Sequence, residues 1–234
     1  VAMLDRVVDN VLSAVGNYPK EYEQNVYTEV SMLIEDTNIP VRFQKDYIDP
    51  TVLPKASRTA KLFKEFSDLI YADTGGLVRV NSYKETGYII SGLMESTIQN
   101  CLIKDTHVPT MLYIDTNLLL EDYSSVMDSS KGTGVLYKSL IPQKVITSYI
   151  YTADFVFWDK FDLCNLAYAN RKLYEILTIR YNRCLNNLFF IKLNQQAILE
   201  KLGTDLYEVM NVKKLYSICD DNANTFKLKG DSAV

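Results

Sequence analysis

The chain reads as an α/β protein with a mostly parallel central sheet and helices on both faces. Three observations predict this. Short apolar segments of strand length alternate with longer segments at helical spacing. The stretch "ADFVFWDKFDL", Ala153 to Leu163, is apolar or aromatic up to Asp159 and then turns polar. That is how a buried parallel strand looks when its carboxyl end opens onto a site. Finally, 234 residues, 47% of them hydrophobic, suit one large globular domain, with or without a small appendage.

The elements follow in order. "MLDRVVDNVLSAVG" sets Met3, Leu4, Val7, Val8, Val11, Leu12 and Val15 on one helical stripe that Gly16 can end. "NIPVRFQKDYIDPTVLP" carries three prolines and predicts an extended linker. "SRTAKLFKEFSDLIYAD" returns to helical spacing, "GGLVRV" is a short strand after a glycine pair, and "GYIISGLMESTIQNCLI" has the length of a helix. "VPTMLYIDT" is a strand, and "NLLLEDYSSVM" is a helix with Asn117 as its cap. "SSKGTGV" is a loop, and "KSLIPQKVITSYIYT" leads into the Asp159 strand. "NRKLYEILTIRYNRCL" is an amphipathic helix, "NLFFIKL" a strand, "NQQAILEKLG" a capped helix ending on glycine, and "TFKLKG" a last short strand.

Composition narrows the function classes. A net charge of -4 argues against a general nucleic-acid coat, so any DNA contact is local. Cys101, Cys164, Cys184 and Cys219 are widely spaced without a CxxC pair, the pattern of reduced, mostly buried thiols. His107 is the only histidine, which excludes a His-based metal cluster or a His-dependent triad. The apolar runs are too short to span a membrane and no signal-peptide pattern opens the sequence, so a cytoplasmic location without membrane partners is expected.

Several segments, in order from about Asn38 to Ser232, resemble the ATPase domain of bacterial and phage helicase loaders of the DnaC/DnaI type, AAA+ proteins related to IstB. "NIPVRFQ" is similar to the family's entry segment and "MLYIDTNLLLEDY" to its second strand and helix. "ADFVFWDKFDL" is similar to the Walker B strand and "KLYEILTIRYN" to the helix after it. "NLFFIKLN" resembles the sensor strand, "EKLGTDLYEVM" the arginine-bearing helix and "FKLKGDS" the C-terminal strand. The resemblance implies a P-loop AAA+ three-layer α/β/α core over 38–234, preceded by a helical N-terminal segment over 1–37.

The departures from that pattern all fall on catalytic positions. A P-loop reads G-x-x-x-x-G-K-[ST]: glycines admit phosphate to the backbone, lysine neutralises it, and the hydroxyl binds magnesium. The matching stretch is "SYKETGYI", with Gly87 on the second glycine, Tyr88 on the lysine and Ile89 on the hydroxyl. A slip by one remains open, and Lys84 and Thr86 lie nearby in the wrong order. Asp159 is kept, but Lys160 replaces the second Walker B acid, Lys192 the sensor asparagine, and Asp205 and Val209 the two arginines of the G-E-R-x-x-S-R helix. Phosphoryl transfer depends on positioning and charge neutralisation, so these losses point to a pseudo-ATPase whose vestigial site is Lys84, Thr86, Gly87, Tyr88, Asp159, Lys160, Lys192 and Asp205. Lys192 or Lys160 is expected to supply the counter-charge to Asp159.

The function expected is therefore protein binding at replication initiation, with no cofactor and with a replicative helicase or an intact loader as partner. The alternatives are a weakly ATP-dependent loader using ATP and magnesium, and a phage or transposition regulator on the same fold. The candidate partner anchor is Leu4, Val7, Val8, Val11 and Leu12 on the first helix, against the competing account that this stripe closes the chain's own core. Arg171, Lys172, Arg180 and Arg183 form a candidate basic surface for DNA or protein, against a plain solvated face.

Overall fold

The computed structural model describes residues 2–72, 75–120, 149–163 and 166–218. Five strands form one parallel sheet: β1 (Gly75–Arg79), β2 (Met111–Asp115), β3 (Phe155–Asp159), β4 (Asn186–Ile191) and β5 (Val212–Ser217). Their spatial order is β2-β3-β4-β1-β5. The helices are α1 (Met3–Val15), α2 (Lys20–Asp36), α3 (Val41–Lys45), α4 (Arg58–Ile70), α5 (Thr86–Ile103), α6 (Leu166–Asn182), α7 (Gln195–Leu202) and α8 (Thr204–Val209).

Side chains alternate across a strand, so each central strand feeds two cores. Phe155 and Phe157 of β3 and Leu188 and Phe190 of β4 join one apolar cluster with α1, α2, α4 and α5. Val156 and Trp158 of β3 and Phe189 and Ile191 of β4 join a second cluster with Leu173, Ile176 and Leu177 of α6 and Ile198 and Leu202 of α7. Burial on both faces explains why these strands read as continuous apolar runs.

Four expectations change. The proline-rich linker holds α3 and a 3-10 turn at Pro50–Val52; Pro40 precedes α3 where its missing N–H costs nothing, and Phe43 is buried. The stripe on α1 is not an exposed anchor: Val7, Val8, Val11 and Leu12 are buried in the first cluster and Leu4 packs against it. α1 rests on α2 and α5, and the Arg6 guanidinium fixes it there by bonding both Glu95 oxygens, at 2.7 to 3.2 Å, and the Gln44 and Lys45 carbonyls. Residues of the 1–37 segment thus share one core with the sheet. The helix after β2 is already helical at 116, and Asp115 Oδ1 accepts from Leu118 N at 3.3 Å, so the cap lies ahead of Asn117. Finally, β5 is a strand the sequence reading missed. The loop "SSKGTGV", the strand "TFKLKG" and the rest of "FKLKGDS" lie outside the described residues.

The termination signals behave as their chemistry requires. Ser57 Oγ caps α4 by accepting from Ala60 N, Asn194 Oδ1 caps α7 by accepting from Ala197 N, and Gly203 ends α7 at φ 81°. Among the described residues, no helix is long and apolar enough to cross a membrane.

Candidate functional site

Parallel pairing brings the carboxyl ends of the strands together, and β2 and β3 pair with Asp115 opposite Asp159. Trp158 points into the second core, so alternation turns Asp159 toward the amino terminus of α5. Asp159 is 1% exposed. Its Oδ1 accepts from Thr86 Oγ1 at 2.7 Å and its Oδ2 from Tyr113 Oη at 2.8 Å. Burial raises the Asp159 carboxyl above the usual carboxylate range; the two hydroxyl hydrogen bonds and the Lys160 charge oppose the rise, and Asp115 adds to it. Burial and the neighbouring Asp159 and Asp115 charges push the Tyr113 phenol far above its usual range, so it stays a donor.

The expected counter-charge is arranged differently. Lys160, at φ 55°, pairs its ammonium with Asp115 Oδ2 and acts on Asp159 only through space. Lys192 is exposed at the end of β4, its ammonium 5.9 Å from the centre of the Tyr83 ring. Below Asp159 a second carboxylate, Asp162, is also buried. Its Oδ2 accepts from the backbone N of Lys192 and of Leu193, each at 3.0 Å, and its Oδ1 from the Tyr83 hydroxyl. Lys201 reaches the Asp162 carbonyl.

The stretch read against the P-loop pattern, 82–89, covers the end of the β1–α5 connection and the first turn of α5. Val80 N donates to Ile191 O at 2.8 Å, which holds the start of that connection against β4. Lys84 is exposed. Gly87 lies so close to Phe43 that a Cβ there would meet the ring at 2.3 Å. The Tyr88 ring sits edge-on to Phe43, 4.9 Å between centroids, and Ile89 is buried in the first core. Neither Tyr88 nor Ile89 is among the hydrogen-bond donors to Asp159; the hydroxyl that faces it belongs to Thr86. The residue ahead of that hydroxyl is Glu85, whose carboxyl burial raises. Asp205 is exposed on α8.

The basic surface needs one correction. Arg180 is fully buried, not on a surface. It bonds Asn187 Oδ1 at 2.7 Å and the carbonyls of Ile150, Ala153 and Asn186 at 2.7 to 3.0 Å, tying α6 to the start of β3 and β4. Burial lowers its pKa to about 9. Arg171 and Arg183 are exposed, and Lys172 pairs with Glu175. Of the four cysteines expected to be mostly buried, Cys101 is buried and Cys184 exposed, and Cys164 and Cys219 lie outside the described residues. Sequence reasoning missed Tyr83, Glu85, Tyr113, Asp115 and Asp162. Asp115 was legible, because it ends "MLYID" as Asp159 ends "FVFWD".

No family model and no curated protein matches the chain. Solved structures do. The DnaC helicase loader superposes with a TM-score of 0.53 at 14% identity, over 76% of this chain and 99% of that one. A proposed primosome component from Streptococcus pyogenes serotype M3 superposes with a TM-score of 0.51 at 10% identity, over 79% of this chain and 93% of that one. DnaI gives 0.49 at 12% identity over 77% and 92%. At these identities the likeness establishes the fold: a mostly parallel five-stranded α/β sheet with flanking helices, similar to that of the DnaC helicase loader.

Proposed function

We propose that this chain is a helicase-loader-like protein that acts at replication initiation by binding other proteins, without hydrolysing nucleotide. The fold likeness to a helicase loader and to a proposed primosome component supports the replication role. A replicative helicase or an intact loader is the partner this reading names, with at most a local DNA contact.

One observation carries the non-catalytic part. In a working P-loop site the Ser/Thr hydroxyl and the Walker B aspartate share a magnesium ion, and the lysine beside that hydroxyl holds phosphate. Here Thr86 donates straight to Asp159, and the residue ahead of Thr86 is the acid Glu85. Tyr113 occupies the second Asp159 oxygen, and Lys160 stands where the second acid would polarise water. ATP with magnesium is expected to bind at best millimolar, about -4 kcal/mol. Titration calorimetry tests this, and a micromolar dissociation constant would reject it.

The alternative, a weakly ATP-dependent loader, draws on the same Thr86–Asp159 pair, since that pair is what a magnesium ion would bridge. Turnover that disappears in Asp159→Ala would favour it. The replication role itself is tested by capture of purified replicative helicase on the immobilised full chain; failure to bind helicase or an intact loader would remove it.

A further inference from the structure

We propose that Asp159 and Asp162 act as an internal brace that orders the β1–α5 connection in place of a bound ligand. The connection from Val80 to Glu85 is six residues long, and donors tie it down along its length. Val80 N is held by the β4 end. The Tyr83 hydroxyl donates to Asp162, and Thr86, directly after the connection, donates to Asp159 at 2.7 Å. Asp162 Oδ2 meanwhile accepts from the N–H groups of Lys192 and Leu193, which begin the connection after β4. One carboxylate thus clamps two loops that leave neighbouring strands, and the other clamps the first turn of α5 to β3 and, through Tyr113, to β2.

The chemistry is the reverse of an anion site. A phosphate-binding turn points N–H donors at an incoming acceptor. Here the loop's hydroxyl donors point inward, at acceptors the protein itself supplies, and those acceptors are buried carboxylates. Hydrogen bonds to a charged group are stronger than neutral ones. The Lys192 ammonium beside the Tyr83 ring adds a cation over the same contact. The connections after β1, β3 and β4 therefore behave as one cooperative unit.

The inference rests on the non-catalytic reading only in requiring that nucleotide does not replace the brace. Amide hydrogen exchange on the full chain, read by mass spectrometry, tests it without nucleotide. Tyr83→Phe removes one oxygen. It should speed exchange at residues 82–85 and at Lys192 and Leu193 together, by about tenfold or more, the loss expected for a hydrogen bond to a charged group. Amides of β2 should keep their wild-type rates. Unchanged rates in both loops, or a change confined to residues 82–85, overturns the brace. Should Tyr83→Phe fail to fold, Asp162→Asn, which keeps one acceptor oxygen, is judged by the same two loops. Addition of ATP and magnesium to the wild type then separates the two claims. Protection gained at 82–85 at micromolar ATP overturns the weak-nucleotide reading, whereas the nucleotide-free rates of Tyr83→Phe alone decide the brace.

Discussion

Asp159 offers the sharpest energetic test. Its carboxylate receives two hydroxyls in a buried setting, and no ammonium bonds it among the described residues. Asp159→Ala removes both acceptors. Thr86 Oγ1 keeps the Tyr83 carbonyl, 3.1 Å away, as a second acceptor. Tyr113 Oη has no second acceptor among the described residues, and a buried donor without an acceptor costs about 1–3 kcal/mol. For a chain of this size each kcal/mol moves the melting temperature by roughly 2–4 °C, so Asp159→Ala should melt about 2–12 °C early. Asp159→Asn keeps an acceptor oxygen and removes a charge that burial disfavours, so it should melt no lower than wild type at pH 7. The pH dependence has a fixed sign. The folded carboxyl titrates above its unfolded value of about 3.9, so the native state holds the proton to higher pH. Stability of the wild type relative to Asp159→Asn should therefore fall as pH rises from about 4 through the folded value, then level off. Melting curves between pH 4 and 8 measure this. An Asn variant whose deficit grows with pH would refute the reasoning, because it would mean the charged form is the stabilised one, as a bound cation makes it.

The remaining predictions concern packing. Val7→Asp should melt early or become insoluble, because the side chain is wholly buried and an unpaired carboxylate there is strongly destabilising; thermal scanning checks it. Glu95→Ala should lose about 1–3 kcal/mol by chemical denaturation, since it removes a charged hydrogen-bond partner of Arg6 at a largely buried site. Arg180→Lys should fail to restore the stability lost in Arg180→Ala, because an ammonium cannot reach the four oxygens that the planar guanidinium spans.

What the sequence made legible follows from how strongly each element is determined locally. β3 and β4 are buried on both faces, so hydrophobic composition alone marks them. Among the described residues β5 is the outermost strand, with Lys213, Lys214 and Leu215 exposed, and its amino end docks where Gly75 leaves no room for a Cβ beside Met210 O. Nothing in "VKKLYS" requires a strand until β1 is beside it. Arg180 misled for a related reason. It falls on the buried face of α6, but an arginine in an amphipathic helix is usually solvated, and only the carbonyls of Ile150, Ala153 and Asn186 reveal where its charge goes. The α1 stripe was correctly read as apolar, and periodicity alone cannot distinguish a face laid on a partner from one laid on α5. Asp159 was legible as a strand-end acid, whereas Tyr113 and Asp162 became site residues only through the register of β2 on β3 and the turn after β3.

An acid at the end of a buried strand can be held there by its hydrogen-bond donors. An aspartate at the end of a Walker-B-like strand is commonly taken as a sign of catalysis. Here Asp159 has a structural reason to persist, since Thr86 and Tyr113 both donate to it in a place without water access. Replacing it by a residue without an acceptor oxygen strands the Tyr113 donor. Lys160 carries no such obligation toward Asp159: its ammonium serves Asp115 on the neighbouring strand. The pair thus separates by energetic role. Asp159 is held by its hydroxyl partners Thr86 and Tyr113, and Lys160 by the carboxylate of Asp115.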